Sequence, residues 1–251
     1  MVVAVAAASG AHAQEFEVAS VRPNRSGAAQ MVIRTPPSGQ VRANNVTVLM
    51  LIRYAYDLPE FRILDAPGWA STEHFDVAAQ APAGATTTQA RLMFRDLLES
   101  RFALRARRAE REMEVDVLRF AEGAPGPGLV RHSQPCDADA KCGVRPAFGR
   151  ISGVGSRISD LAAALTFMER RMVEDGTGTM DLFDFTLQYT PDAYATTLAD
   201  PAAARFPFPQ LDPNKPSLND ALREQLGLTV QRRRQPVEVL IVEQVAQPSP
   251  N

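Results

Sequence analysis

Four short sequence matches recur in the same order in the two halves of the chain, and such an ordered series restricts the fold to one that can be built twice from a single supersecondary unit. Gly39-Gln40-Val41-Arg42 through Asn45-Val46-Thr47-Val48 and Leu51 aligns with Gly149-Arg150-Ile151-Ser152 through Ile158 and Leu161. His74-Phe75-Asp76-Val77 up to Pro82 aligns with Leu182-Phe183-Asp184-Phe185 up to Pro191. Leu98 to Leu104 aligns with Leu222 to Leu228, and Met113-Glu114-Val115 with Val237-Glu238-Val239. One such match would be chance, whereas four in register imply two copies of roughly a hundred residues each.

Within each copy the hydrophobic periodicity changes along the chain. Val48, Leu51, Ile52 and Ala55 fall at i, i+3, i+4 and i+7, the stripe of an amphipathic helix, with Asn45 or Thr47 placed to cap it. A second helix is predicted from about Thr88 to Arg101, with Met93, Phe94, Leu97 and Leu98 on one face. Ala103–Arg108 and Glu112–Phe120 then alternate as an antiparallel pair of strands should. In the second copy Leu161, Leu165, Met168 and Met172 make the first stripe. Ser217 with Asp220 three residues on starts the next helix, Gly227 stands where a left-handed cap is wanted, and Val237–Val242 reads as a buried closing strand. The fold expected is α+β: two tandem pseudo-repeats, each strand, helix, one or two strands, helix and two strands, with helices packed on small mixed or antiparallel sheets.

The predicted domain limits are 14–122 for the first lobe, 123–148 for a Gly/Pro-rich linker, 149–246 for the second lobe and 247–251 for a tail. A proline-rich insertion, Pro201 to Pro216, interrupts the second lobe. Residues 1–13 run apolar and then small, ending in Ala11-His12-Ala13, the A-x-A form of a signal-peptidase site, although no Lys or Arg precedes Arg22. Elsewhere no apolar run approaches the roughly 20 residues needed to cross a bilayer, so the chain is not expected to span a membrane. The expected location is the periplasm or the cell exterior. The two cysteines, Cys136 and Cys142, lie six apart in a Pro/Asp-rich loop and read as a short disulfide, which export would permit; with His132 they offer at most three ligands to a metal. A net charge of −2 gives no whole-protein bias toward nucleic acid.

The search for catalytic chemistry is largely negative. There is no G-x-S-x-G elbow, P-loop, H-E-x-x-H or Rossmann glycine pattern, so neither a cofactor nor a metal site is expected. His74 and His132 have no second histidine or acid at ligand spacing. Asp175-Gly176-Thr177-Gly178 reads as a tight turn rather than an aspartic-protease loop. Two candidate binding surfaces stand out. Trp69, the one tryptophan, follows Pro67-Gly68 and with Tyr54 and Tyr56 could form an aromatic patch, or could simply cover the end of the first core. Arg105, Arg107, Arg108 and Arg111 match Arg232, Arg233 and Arg234 in the second copy, a pair of clusters able to hold a carboxylate or phosphate, or merely to blunt strand edges.

Phe16-Glu17-Val18-Ala19-Ser20-Val21-Arg22-Pro23-Asn24, Asn45-Val46-Thr47-Val48 with Leu51-Ile52 and Ala55-Tyr56, Pro67-Gly68-Trp69, Phe75-Asp76-Val77, Asp184-Phe185-Thr186-Leu187, Gln225-Leu226-Gly227-Leu228 and Pro236-Val237-Glu238-Val239-Leu240 resemble the uncharacterised Soli family of exported soil-bacterial proteins. That resemblance implies compartment and architecture rather than mechanism. Some members are fused to membrane metallopeptidases of the beta-lactam-sensor type, which implies an extracytoplasmic sensing role. Where members tend to carry V-D-K-T-G-L, this chain has Val173-Glu174-Asp175-Gly176-Thr177-Gly178, without the lysine. The element order of each copy is also similar to the short N-terminal domains of secretins and TonB-dependent receptors, which are protein-contact modules of the envelope.

The function expected is a non-enzymatic envelope module for binding, interaction or sensing, with a protein or peptide as partner and no nucleic acid. The alternative is a hydrolase using Asp76 and Asp184 as a carboxylate pair between the lobes. The position of these two side chains separates the readings.

Overall fold

The computed structural model describes residues 15–26, 32–34, 39–136, 142–191 and 214–248. The expected leader and most of the Pro201–Pro216 insertion lie outside the described residues. Twelve strands and five helices occur among them, so the fold is α+β as expected.

In the first part of the chain β1 (Val18–Pro23), β2 (Val32–Arg34), β3 (Gln40–Thr47) and β5 (His74–Gln80) form an antiparallel sheet in the order β1-β5-β3-β2. The helix α1 (Val48–Tyr56) begins where the side chain of Thr47 accepts the Met50 N–H at 3.2 Å, and it stops at Asp57 in the left-handed conformation. Its stripe residues Val48, Leu51, Ile52 and Ala55 are all buried, as the i, i+3, i+4, i+7 spacing requires. Trp69 opens a one-turn helix, α2 (Trp69–Thr72), rather than lying in a loop. The longest helix, α3 (Thr87–Phe102), starts with a reciprocal capping box between Thr86 and Gln89 and buries Met93, Phe94, Leu97 and Leu98.

In the second part β7 (Val130–Arg131), β8 (Gly143–Ala147), β9 (Arg150–Ser156) and β11 (Phe183–Gln188) form another antiparallel sheet, ordered β7-β11-β9-β8. Against it pack α4 (Ile158–Glu169) and α5 (Leu218–Leu226), the latter capped by Ser217 and ended by Gly227 at φ 66°. Met172, expected on the α4 stripe, instead begins β10 (Met172–Asp175), because the helix has already ended at Arg170, where φ is 52°.

The closing strands differ from expectation. Each predicted pair is one continuous strand, β6 (Arg105–Phe120) and β12 (Leu228–Gln244). No Gly, Pro, Asn or Ser interrupts Arg105–Phe120, and Asp116 lies within the paired strand, its carboxylate bound by Arg171 and Arg232. With the two-residue β4 (Ile63–Leu64) these strands make a third sheet, ordered β10-β6-β12-β4, in which β10 and β4 pair in parallel with β6 and β12.

Both long strands divide between two compact units. One comprises Met1–Arg111 with Val237–Asn251, the other Glu112–Pro236, so the division cuts through β6 and β12 and not at the predicted linker. The stretch 123–148 itself is no bare tether. Gly126 and Gly128 donate their N–H groups to Leu226 and Gln225, Leu129 is buried, and β7 and β8 enter the second sheet. Val41, Leu51, Phe75, Phe94, Phe102 and Leu240 lie in the core of the first unit, and Ile151, Leu161, Phe183, Leu187, Tyr189 and Leu222 in that of the second.

Candidate functional site

Most of the candidate residues read from the sequence are engaged within their own unit. Tyr54 packs edge-on to Phe94 at 5.1 Å, and its buried hydroxyl has no hydrogen-bond partner among the described residues. Tyr56 lies beneath the Arg95 guanidinium at 4.6 Å, and its phenol is pushed upward in pKa, first by burial and then by the charge of Glu99. Trp69 packs partly buried against the first core, and no ring contact among the described residues joins it to either tyrosine. Tyr54 and Tyr56 thus face α3, and Trp69 lies partly buried against the same core.

The arginine clusters are likewise tied to neighbouring acids. Arg107 pairs with Glu243 at 2.8 Å, Arg108 with Glu238, and Arg232 with Asp116 at 2.9 Å. Among the described residues Arg105 and Arg234 have no ion-pair partner; they share a strand face with Arg107 and Arg232, which are paired to acids. Alternation on a strand turns successive side chains to opposite faces, so three arginines in a row cannot converge on one ligand.

The carboxylates of the hydrolase reading serve the backbone instead. In the first unit, Asp76 Oδ1 accepts from the Asn45 N–H and from Asn24 Nδ2, each at 2.8 Å. In the second, Asp184 Oδ1 accepts from the Gly155 N–H at 2.8 Å and meets His132 Nδ1 at 2.8 Å. Asn45 and Gly155 occupy the same local position, two residues before the helix caps Thr47 and Arg157, and have φ of 53° and 52°. The match extends to the chain, since Asn24 N–H donates to His74 O and His132 N–H to Leu182 O, in each case two residues before the aspartate. Each carboxylate thus fixes a left-handed kink ahead of a helix. The Gly155 N–H first, and His132 in addition, hold the Asp184 carboxyl below its ordinary range.

The sequence reading gave His132 no acid partner; Asp184, 52 residues away, arrives through the pairing of β7 with β11. The predicted disulfide links Cys136 and Cys142, and His132 Nε2 lies 3.7 Å from Cys136 Sγ. Gly155 makes room for this bridge, for a Cβ there would stand 2.4 Å from Cys136 Sγ and 3.0 Å from Cys142 Sγ. The ligand atoms of His132, Cys136 and Cys142 lie within 4.8 Å of one another, but while the bridge is closed neither sulfur is a thiolate able to bind a metal.

One groove was missed by sequence reasoning. The chain entering β1 and one side of α3 enclose a volume of about 360 Å³, lined by Glu15, Phe16, Glu17 and Val18 on one wall and Met93, Asp96, Leu97 and Arg101 on the other. Beside it, β1 is an edge strand that pairs with β5 only among the described residues, and Val18 is 68% exposed. Burial first, then the negative charge of Glu15, raises the Asp96 carboxyl above its ordinary value. The sequence signal was an acidic residue on each side of Phe16, which periodicity alone could not connect to α3.

No helix among the described residues is long and apolar enough to cross a membrane. No curated protein and no solved structure matches the chain. A family model does match, over residues 49–245, and by that match the chain belongs to the family described as Protein of unknown function (DUF3738).

Proposed function

We propose that the chain is a non-enzymatic binding module of an oxidising compartment, the periplasm or the cell exterior, and that its first unit takes an extended basic segment of an envelope protein or peptide beside β1. The observation that carries this reading is the groove between the start of β1 and α3. It combines an apolar floor, the neighbouring strand β1 and three carboxylates against one guanidinium. Arg101 already donates to Ala19 O of β1 at 3.3 Å, so the selection rests on the groove walls and the side chains they accept. Glu15, Glu17 and Asp96 favour lysine or arginine there, and a cation placed beside Asp96 would counter both the burial and, after it, the Glu15 charge that raise its carboxyl.

The compartment is supported by the Cys136–Cys142 bridge, since disulfides persist outside reducing cytosol. The two units are further read as products of one duplicated ancestor. The support is the paired geometry of Asp76 with Asn45 and Asp184 with Gly155, on top of the ordered sequence matches.

Calorimetric titration of the protein with two peptides of equal length, one alternating Val with Lys and the other Val with Glu, tests the reading. Binding of the lysine peptide, weakened by salt and lost in E17K/D96K, is expected. Equal binding of both peptides, or of neither, refutes it.

A further inference from the structure

We propose that the Cys136–Cys142 bridge is a dithiol–disulfide exchange centre in which His132 handles the proton of Cys136 and Asp184 positions His132. This lies in the second unit and is independent of the peptide-binding reading.

The two units supply an internal comparison. Asp76 needs only a donor from the strand preceding it, and Asn24 provides one at 2.8 Å. At the same place in the second unit His132 provides the equivalent contact to Asp184 with Nδ1, also at 2.8 Å. An asparagine would have met that structural need. The imidazole adds a second nitrogen, and this Nε2 is the atom that lies 3.7 Å from Cys136 Sγ. The protein thus lines up a sulfur, an imidazole and a carboxylate in which each orients the next, the arrangement that activates a nucleophile through a base held by a third group.

Access and shelter are divided as exchange requires. The His132 side chain is 8% exposed, whereas Cys136 is exposed and Cys142 only half-buried. An incoming thiol therefore reaches Cys136 first, while the base stays in its hydrogen-bonded orientation. Gly155 serves both features, as its N–H holds Asp184 and its missing Cβ lets both sulfurs pack against it. Among the described residues the titratable groups that face the bridge are His132 and, behind it, Asp184; Arg131 is turned to Asp181 at 2.8 Å.

The reductant is a dithiol, R(SH)2. One of its thiolates attacks Cys136 Sγ, the Cys136–Cys142 bond breaks, and the electron pair leaves on Cys142 Sγ, which takes up a proton. The second thiolate of R then attacks the R sulfur of the mixed disulfide. The bond to Cys136 breaks, and its electron pair stays on Cys136 Sγ beside the protonated imidazole of His132. Two electrons and two protons pass from R(SH)2 to the protein, and R leaves as its own disulfide. The reverse sequence reduces a disulfide, starting from the Cys136 thiolate. A thiol beside an imidazolium ionises below the ordinary cysteine range, which stabilises the reduced form and makes the bridge a better oxidant.

The test equilibrates the full chain with reduced and oxidised glutathione, and separately with dithiothreitol. The reduced fraction is read by the mass added on alkylation, and the alkylation rate of Cys136 by iodoacetamide is followed against pH. His132→Asn reproduces the Asn24 arrangement of the first unit and removes the nitrogen at the sulfur; Asp184→Asn removes the charge that orients the ring. The expected result is an equilibrium shifted toward the disulfide by about tenfold or more in H132N, a shift in the same direction in D184N, and an alkylation profile displaced to higher pH in both. An equilibrium constant within about twofold of the wild type, with an unchanged alkylation profile, overturns the proposal. Should H132N fail to fold, D184N decides by the same criterion.

Discussion

Replacing Gly155 by alanine probes the junction of the second sheet, its helix and the disulfide in a single atom. Two separate terms oppose the new Cβ. The residue sits at φ 52°, in the left-handed region, where an L side chain is disfavoured by roughly 1–2 kcal/mol. The Cβ would also stand 2.4 Å from Cys136 Sγ, 3.0 Å from Cys142 Sγ and 3.1 Å from His132 Cδ2. Two bridged sulfurs cannot swing aside as the end of a free side chain would, and such overpacking costs about 1–3 kcal/mol. Gly155→Ala should therefore destabilise the oxidised protein by roughly 2–5 kcal/mol. In the C136S/C142S background the steric part is relieved and about 1–2 kcal/mol should remain. Urea unfolding followed by far-UV circular dichroism on the four proteins of this cycle measures both numbers. An equal loss in the bridged and unbridged backgrounds, or no loss in either, would refute the reasoning.

Asp76→Ala leaves the Asn45 N–H and the Asn24 amide without their acceptor and should destabilise the first unit by about 1–3 kcal/mol in denaturant unfolding. Phe94→Ala empties the centre of the same core, where Phe16 and Tyr54 meet its ring at 5.3 and 5.1 Å, and should cost about 3–5 kcal/mol in the same assay. Because the Asp184 carboxyl is held below its ordinary range, its contribution to stability is present above about pH 4 and is lost as pH falls through the lowered value; the unfolding midpoint of D184N should lose that dependence. Tyr189, fully buried, has its phenol pushed up to about 12 by burial and then by Glu169, so an alkaline spectrophotometric titration should show one tyrosine ionising well above the ordinary range of about 10, and Y189F should abolish that step.

Helices were the most legible part of the chain. The stripes of α1 and α3, the Ser217 cap and the Gly227 terminator all lie where periodicity and capping chemistry put them, because those signals are local. The closing strands were misjudged for a physical reason: alternation marks a strand but does not say where it ends, and Arg105–Phe120 contains no Gly, Pro, Asn or Ser to mark a turn. The two compact units divide within these strands, at Arg111/Glu112 and Pro236/Val237. At the site, the disulfide followed from spacing, but the contact of His132 with Asp184 depends on β7 meeting β11 in one register, and no local pattern encodes that register. The groove wall at Asp96 was hidden in the same way, since Met93 and Leu97 read only as core stripe and nothing local joins them to the chain entering β1.

The most direct measurement places a photo-activatable cross-linking residue at Val18, beside the groove, and in a second protein at Met180, which is 71% exposed against 68% for Val18. Each is irradiated with the alternating Val/Lys peptide. Adducts from position 18 that vanish in E17K/D96K, with none from position 180, are what the account predicts. Adducts from position 180 alone, or from both positions regardless of the charge changes, would contradict it.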